Sequence, residues 1–313
     1  MKALLFPGQG SQVVGMCSEF HKNFGLVKNI FKQADEKLNF SLSKLILEGP
    51  ENELKLTKNT QPAILTASYS IFKIMKEEFE FDFNSFKYFA GHSLGEYSAL
   101  VSSDSLHFDD ALYLLHERGK AMQEAVPVGE GSMIAVLGTK IEELSDLLKF
   151  NKSEKGVCEI ANDNADGQII ISGNKDALDF FQSILREKKI KSIPLKVSAP
   201  FHCSLMKPAA MKMKDKINKI KFNNPKFKII NNVTASAETD SNIIKNLLYE
   251  QIFSTVKWRE SLIEMSKGGV KNFVEIGPGK VLTGMVKRTI KEANCFSINS
   301  IADIKNLINE FRK

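Results

Sequence analysis

The chain has 313 residues, and its 43 Lys and Arg residues exceed its 37 Asp and Glu residues, which gives a formal net charge of +6 at pH 7. Hydrophobic residues make up 43% and charged residues 26%, which is typical of a globular protein and excludes disorder as the main state. No hydrophobic run reaches the roughly 20 residues of a membrane-spanning helix. Because the hydrophobic stretch in Met1–Pro7 is also too short for a signal peptide, we expect a cytoplasmic protein with no membrane partner.

The charge and cysteine patterns argue against two further classes of site. The lysines are dispersed and no repeat of basic and aromatic residues occurs, so we expect no nucleic-acid partner. The four cysteines lie far apart and form no C-x-x-C pair, which predicts free thiols and no metal site. They are Cys17, Cys158, Cys203 and Cys295.

Short hydrophobic strands alternate with amphipathic helices along the chain, and this order predicts an α/β fold. The predicted strands are Lys2–Phe6, Lys87–Ala90, Lys226–Asn231, Lys271–Ile276 and Cys295–Ile298. The predicted helices include one beginning near Glu53, then Gln61–Glu78, Asp109–Ala125, Pro208–Ile220 and Gly279–Glu292.

The middle of the chain predicts a second unit, because its elements follow the β-α-β-β-α-β order of a ferredoxin-like fold. These elements are Ser132–Leu137, Ile141–Phe150, Val157–Ala161, Gln168–Ser172, Lys175–Lys189 and Ile190–Val197. Turn-forming residues at 128–131 and 198–200 bracket them. We therefore predict a larger subdomain formed by residues 1–127 and 198–313, a smaller one formed by residues 128–197, and a ligand site in the cleft between them.

Two glycine-rich stretches resemble nucleotide-binding loops, but neither fits the chemistry of such a loop. Gly8-Gln9-Gly10 has Val13 where a dinucleotide fingerprint needs its third glycine. Gly277-Pro278-Gly279-Lys280 follows Val274 where a phosphate loop begins with glycine, and Val281 replaces the magnesium-binding Ser or Thr. Both stretches are interpreted as strand-to-helix turns.

Gly91-His92-Ser93-Leu94-Gly95 has the G-x-S-x-G pattern of a nucleophile elbow. A hydrophobic strand precedes it and a helical pattern follows, which is the strand-turn-helix context that the elbow requires. The pattern predicts that Ser93 is a nucleophile and that the Leu94 N–H points towards a developing oxyanion.

A serine nucleophile needs a base, and His202 is the best candidate among the five histidines. It follows a predicted strand in Ala199-Pro200-Phe201-His202-Cys203, at a turn entering the cleft. His92 neighbours Ser93, but its side chain is expected to leave the turn in another direction. The remaining three, His21, His107 and His116, lie in polar or amphipathic helical contexts.

Arg118 falls on the hydrophobic face of a predicted helix, seven residues after Ala111 and four after Leu114. A buried guanidinium needs a partner, because an isolated buried charge is very costly. Two interpretations stay open at this point, an internal ion pair with Asp or Glu and a clamp on a substrate carboxylate.

Taken together, these motifs make the whole chain resemble the malonyl-CoA:acyl-carrier-protein transacylases of type II fatty acid synthesis. Each motif alone could arise by chance, whereas their order along the chain is specific. The motifs are Phe6-Pro7-Gly8-Gln9-Gly10-Ser11-Gln12, Thr60-Gln61-Pro62-Ala63, Gly91-His92-Ser93-Leu94-Gly95-Glu96-Tyr97, Arg118-Gly119-Lys120-Ala121-Met122, Asn162-Asp163-Asn164, Gln168-Ile169-Ile170-Ile171-Ser172-Gly173, Pro200-Phe201-His202 and Glu275-Ile276-Gly277-Pro278-Gly279-Lys280-Val281-Leu282.

The resemblance implies an α/β-hydrolase-like larger subdomain and a ferredoxin-like smaller one. It implies that Ser93 is the nucleophile, that His202 is the base and that Arg118 binds the malonyl carboxylate. It further implies an oxyanion hole formed by the backbone N–H groups of Gln9 and Leu94. Its remaining site residues are Gln251, whose main-chain carbonyl would orient the histidine, and the substrate-binding residues Gln61, Met122, Asn162 and Phe201.

The activity implied by the resemblance is malonyl transfer from malonyl-CoA to the phosphopantetheine thiol of acyl carrier protein, through a malonyl-serine ester and without a metal or other cofactor. Nothing in the sequence indicates an oligomer, so we expect a monomer. The alternatives are a serine esterase or thioesterase, a non-enzymatic binding module for coenzyme A thioesters, and a transacylase for another acyl unit, as in polyketide synthesis. Three residues depart from the usual family pattern: Phe201 stands where many bacterial members carry Ser, Thr255 where Pro is usual, and Lys257 where Gln or Arg is usual.

Overall fold

The computed structural model describes residues 1–150, 156–197 and 199–312. The strands are β1 (Lys2–Phe6), β2 (Phe86–Gly91), β3 (Gly131–Leu137), β4 (Cys158–Ala165), β5 (Gln168–Asn174), β6 (Lys191–Pro194), β7 (Lys228–Ile230), β8 (Ala237–Glu238), β9 (Asn272–Ile276) and β10 (Asn294–Ile298). The helices are α1 (Ser18–Asn23), α2 (Gly25–Leu38), α3 (Leu42–Glu48), α4 (Glu51–Leu54), α5 (Thr57–Glu77), α6 (Gly95–Ser102), α7 (Phe108–Glu124), α8 (Ile141–Phe150), α9 (Lys175–Glu187), α10 (Lys207–Lys219), α11 (Ser241–Gln251), α12 (Trp258–Lys267), α13 (Val281–Thr289) and α14 (Ile301–Arg312). None of the helices within these described ranges is long and apolar enough to cross a membrane.

The larger sheet has the strand order β10-β9-β1-β2-β7-β8 and is parallel except for β8, which pairs antiparallel with β7. Its central strand β1 is hydrophobic on both faces, as expected for a parallel sheet covered by helices on each side. Leu4 and Phe6 pack on the side that holds α5 to α7, whereas Ala3 and Leu5 pack against α12 and α13. This sheet aligns the carboxyl ends of β1, β2, β7 and β9 at one edge, where ligand sites of parallel sheets form.

The smaller sheet has the order β4-β5-β3-β6, which is the ferredoxin-like arrangement expected from the element order of the middle segment. Alternation along β3 builds two different surfaces. Ile134 and Val136 pack under α8 and α9 in a separate hydrophobic core, whereas Met133 and Ala135 face the larger unit. We propose from this separate core that residues 128–197 form a subdomain inserted into the unit of residues 1–127 and 198–313.

The chain enters and leaves the smaller unit at one place. Gly131 begins β3 and lies directly against Pro200, because a Cβ added to this glycine would lie 2.3 Å from Pro200 Cδ. Ser198, one of the turn residues predicted here, lies outside the described residues. The two crossings therefore form a narrow neck beside the cleft.

The structure corrects several predicted boundaries, although the α/β class is confirmed. The last strand of the smaller sheet was predicted as Ile190–Val197 but ends at Pro194. The Leu195 N–H still donates to the Met133 carbonyl at 2.9 Å, and the chain then leaves the sheet, because the Val197 N–H donates to the Leu195 carbonyl instead of to β3. The helix predicted from Gln61 begins at Thr57, and the helix predicted as Gly279–Glu292 occupies only Val281–Thr289.

Candidate active site

The predicted elbow is present at the carboxyl end of β2, and its two glycines make it possible. Ser93 has a φ of 52°, in the left-handed region that non-glycine residues seldom adopt. A Cβ on Gly91 would lie 1.9 Å from the Gly95 carbonyl carbon, and a Cβ on Gly95 would lie 2.2 Å from the Phe6 carbonyl oxygen. Only glycine fits at either position, so the turn presses α6 against β1 and lifts Ser93 into the cleft.

Ser93 and His202 are in hydrogen-bonding contact. Ser93 Oγ lies 2.8 Å from His202 Nε2, and His202 Nδ1 lies 2.8 Å from the main-chain oxygen of Gln251 at the end of α11. Because a carbonyl can only accept, Nδ1 carries the proton and Nε2 is free to accept the serine proton. The histidine is thus oriented by a carbonyl oxygen, with no carboxylate in that position.

Burial keeps this histidine neutral. Desolvation, with a smaller effect from the Arg118 charge, lowers the pKa of His202 to about 3. A neutral imidazole beside a serine hydroxyl has the protonation state that a general base requires.

Arg118 on α7 is 1% exposed and lies against the nucleophile. Its Nη2 donates to Ser93 Oγ at 3.1 Å and to Gln251 Oε1 at 2.9 Å, and its Nη1 donates to Gln61 Oε1 at 2.7 Å. All three acceptors are uncharged, no ion pair of the described residues involves this arginine, and its buried Nε–H lacks an acceptor. Two amide oxygens and one hydroxyl oxygen therefore hold the guanidinium in place, and it can still form an ion pair with the carboxylate of a ligand.

Two residues of the cavity around Ser93 carry backbone N–H groups that are unpaired among the described residues. The Gln9 N–H follows β1 and the Leu94 N–H follows the nucleophile, and both residues line the same cavity as Ser93. Within the described ranges neither N–H donates to another protein group. The two can therefore serve as an oxyanion hole, the role that the resemblance implies.

The cavity around these groups has a volume of about 180 Å³ and opens to solvent between the two sheets. The larger unit contributes the reactive groups, while β3, β4, β5 and the segment after β6 contribute the facing wall. That wall consists of Met133, Asn162, Asn164, Ile170, Leu195 and Val197. The described residues contain no cluster of three His, Cys, Asp or Glu side chains able to hold a metal ion.

The chain was compared with known families, sequences and structures. A model of the acyl transferase domain matches residues 3–310. The malonyl CoA-acyl carrier protein transacylases of Haemophilus influenzae and Bacillus subtilis are 41% and 42% identical over 313 residues, covering 99% of this chain and 98% and 97% of the relatives. The chain is a member of this transacylase family.

Solved structures agree with this membership. The acyl-carrier-protein-S-malonyltransferase of Bartonella henselae superposes with a TM-score of 0.96 at 38% identity, covering 100% of this chain and 99% of that one. A malonyl-transacylase solved in complex with a type II PKS acyl-carrier protein has a TM-score of 0.94 at 37% identity, with 99% of each chain covered. The family resemblance and the fold class expected from the sequence are therefore confirmed.

The structure brings most of the predicted site residues to one cavity. Its lining includes Gln9, Gln61, Ser93, Leu94, Arg118, Met122, Asn162, Phe201 and His202. Gln251 does not line the cavity; it lies behind His202 and Arg118 and contacts both. Their roles in a reaction remain predictions, because the geometry gives contacts and not rates.

Sequence reasoning missed four polar residues of this region. His92 lines the cavity after all, with Nε2 2.8 Å from Asn164 Oδ1. Asn232 follows β7, and its Oδ1 accepts from the Ser93 N–H at 2.7 Å while its Nδ2 donates to the Gly91 carbonyl at 2.8 Å. These two hydrogen bonds stabilise the backbone of the elbow. Glu96 on α6 is fully buried, and a lone acid among the small and apolar residues of Gly95–Ser102 was the signal available for it.

The two departures before Trp258 are accommodated in the loop that follows α11. Thr255 Oγ1 donates to the Ile160 carbonyl at 2.6 Å, a bond that proline could not make. The Lys257 N–H donates to the Asn232 carbonyl at 2.9 Å, using only main-chain atoms. This loop therefore ties β4 of the smaller sheet to the site.

Proposed function

We propose that the protein transfers a malonyl group from malonyl-CoA to the phosphopantetheine thiol of acyl carrier protein through a malonyl-Ser93 ester. The observation that carries the proposal is Arg118, a buried guanidinium that touches Ser93 and has no hydrogen bond to a carboxylate of the described residues. A cation held in this way suits an acyl group that ends in a carboxylate. The names of the relatives support the same substrate and acceptor.

In the first half-reaction Ser93 Oγ attacks the thioester carbonyl carbon while its proton moves to His202 Nε2. The negative charge on the carbonyl oxygen is stabilised by the N–H groups of Gln9 and Leu94. When the tetrahedral intermediate collapses, the carbon–sulfur bond breaks and the imidazolium returns the proton to the leaving thiolate. The free carboxylate of the acyl group lies on Arg118.

The second half-reaction is the reverse with another thiol. The phosphopantetheine thiol of the carrier protein gives its proton to His202 and attacks the ester, and the proton then returns to Ser93 Oγ. Each step uses side chains and backbone N–H groups of this chain, so the proposal includes no metal or other cofactor. It also includes a monomeric enzyme located in the cytoplasm, whose reducing conditions suit the four free thiols.

Mass spectrometry of the intact protein tests the proposal. Incubation with malonyl-CoA should add one malonyl group to wild type and none to Ser93→Ala, which removes a single oxygen from a buried site. Carrier protein bearing phosphopantetheine should then remove the group and gain it, whereas carrier protein without this arm should not. If water removes the adduct as fast as the loaded carrier protein does, the enzyme is a thioesterase and the proposal fails.

A further inference from the structure

A buried polar cluster lies beneath the Ser93 elbow, and the proposed reaction gives its carboxyl group no role. The cluster consists of Glu96, Asn232, Gln251 and Arg118, each at most 1% exposed. Glu96 Oε2 accepts two hydrogen bonds, from Gln251 Nε2 at 2.7 Å and from the Asn232 N–H at 3.1 Å. A carboxyl group so deeply buried is kept only where its surroundings compensate for it.

The Gln251 side chain connects this carboxyl group to Arg118. Its Nε2 donates to Glu96 and, at 3.1 Å, to the Ser93 carbonyl, while its Oε1 accepts from Arg118 Nη2 at 2.9 Å. If the amide were flipped, its NH2 group would face the Arg118 donors and its oxygen would face the Glu96 carboxyl group. The charges of Arg118 and Glu96 therefore determine the orientation of the Gln251 amide. A single amide group thus separates the buried anion from the buried cation.

We propose that Glu96 is a specificity-determining residue, because its carboxylate balances the Arg118 charge in the empty site and competes with the carboxylate of the incoming acyl group. The inference rests on the proposed function and deepens it. When a malonyl group docks, two carboxylates share one guanidinium, and this repulsion is removed if Glu96 takes up a proton. An acetyl group has no carboxylate and creates no such competition.

Of the titratable groups around the cluster, Glu96 is the one whose charge changes near neutral pH. Burial raises the pKa of Glu96 to about 7, against smaller opposing effects of Asn232, Gln251 and Arg118. Burial also raises the pKa of Tyr97 to about 12, lowers that of His202 to about 3 and lowers that of His92, so these three stay neutral from about pH 6.5 to about pH 8.5. Arg118 on the facing helix stays charged.

The test compares rates of ester formation at Ser93 from malonyl-CoA and from acetyl-CoA, at about pH 6.5 and about pH 8.5. Groups that affect both reactions equally, such as the coenzyme A phosphates and His202, contribute the same pH dependence to both rates. Their contribution therefore cancels in the ratio of the two rates. In wild type the malonyl-to-acetyl ratio should fall several-fold, and at most about tenfold, as Glu96 ionises, since its carboxylate then repels the carboxylate of the malonyl group.

Glu96→Gln is the informative variant, because its side-chain oxygen can keep both hydrogen bonds while the charge is lost. Its malonyl-to-acetyl ratio should not change with pH and should exceed the wild-type ratio several-fold, and at most about tenfold, at the higher pH. Glu159→Gln is the matched control: Glu159 on β4 accepts from the N–H and the hydroxyl of Ser204, and an amide can keep both contacts because a hydroxyl group can also accept. This control should keep the wild-type ratio and its pH dependence.

A second measurement uses wild type alone and so does not depend on whether a variant folds. The acyl transfer itself passes the Ser93 proton to the leaving thiol, so this chemical step changes no proton count for either donor. Any proton taken up from solution must then come from another group, and we expect that group to be Glu96. In weak buffer at about pH 7.5, a pH indicator should therefore report proton uptake with malonyl-CoA and none with acetyl-CoA. Equal proton changes for both donors would overturn the inference, as would a Glu96→Gln ratio that follows wild type at every pH. If wild type forms no malonyl ester at all, the proposed function itself has failed.

Discussion

Ser93 and His202 are both held in the left-handed backbone region, with φ values of 52° and 57°. Residues other than glycine adopt this conformation only where the surrounding structure imposes it. Here Asn232 anchors one residue and the Gln251 carbonyl the other, so the 2.8 Å contact between Oγ and Nε2 exists before any substrate binds. Two amide residues and the Arg118 guanidinium, which donates to Ser93 Oγ, thus hold Ser93 and His202 in place.

The low pKa of His202 predicts an unusual pH profile. Since burial lowers this pKa to about 3, the protonated form that cannot accept a proton appears only near that pH. Acetylation of Ser93 by an uncharged acetyl thioester of N-acetylcysteamine should therefore show no loss of rate between about pH 7 and about pH 5. A stopped assay with mass detection measures it, and a half-maximal rate near the usual histidine pKa would contradict the assignment.

Arg118 should decide between acyl groups. Arg118→Ala removes charge-assisted hydrogen bonds worth about 1.5–3 kcal/mol each, so malonyl kcat/KM should fall tenfold to hundredfold or more. Acetyl transfer should be unchanged or faster, because that group never uses the guanidinium. Arg118→Lys should recover only part of the loss, since an ammonium group makes no planar two-point contact.

The four rate constants for two acyl groups and two proteins check this directly, with thermal unfolding as the fold control. If both activities fall together and the melting temperature drops, Arg118 serves the fold and malonyl selectivity has another origin.

At the scale of elements, the elbow depends on how closely α6 approaches β1. Gly95→Ala would place a methyl group 2.2 Å from the main-chain oxygen of Phe6, which neither element can move away from easily. We expect a loss of about 3 kcal/mol or more in the free energy of unfolding, together with loss of ester formation.

Gly284→Ala provides the matched control, because nothing lies within 4 Å of an added Cβ at that position on α13. Alanine there should stabilise the helix by about 0.5–1 kcal/mol. Urea unfolding of both variants measures the difference, and similar values for the two would show that the close approach at Gly95 is not limiting.

Local sequence patterns predicted the elements in which polar and hydrophobic residues recur with a regular period. They failed where the structure depends on contacts between residues far apart in the sequence. The start of α8 at Ile141 was predicted to the residue, because turn formers precede a clear amphipathic pattern. Pro62 favoured a helix beginning nearby, yet α5 starts at Thr57 and carries the proline within it. The contact between Glu96 and Asn232 joins residues 136 positions apart, so no short motif could have indicated it.

At the scale of the whole molecule, one buried ion pair helps to join the two sheets. Arg259 Nε on α12 donates to both carboxylate oxygens of Asp163 on β4, at 3.0 Å each, and Asp163 is 1% exposed. The neighbouring Asn162 bridges to Val256 and also lines the cavity. The pair therefore holds the cavity wall against the frame that carries the nucleophile.

Arg259→Ala should leave the Asp163 carboxylate buried and unpaired, at a cost of about 3 kcal/mol in the free energy of unfolding. Arg288→Ala is the control, because this arginine also reaches the smaller sheet but donates to Gln168 in an exposed position. Its effect should stay within about 0.5 kcal/mol. Equal changes for both variants in urea unfolding would mean that the Asp163 pair does not join the units.

The narrow neck at Gly131 and Pro200 bears on how such enzymes can diversify. Ser93, His202, the Gln251 carbonyl and Arg118 all belong to the frame, whereas six of the residues that line the cavity belong to the segment beyond the neck. Because the chain enters and leaves that segment at adjacent positions, recombination can replace the whole segment without changing the larger sheet. The cavity wall can then vary while Arg118, Glu96 and the groups proposed to make and break bonds stay fixed in the frame.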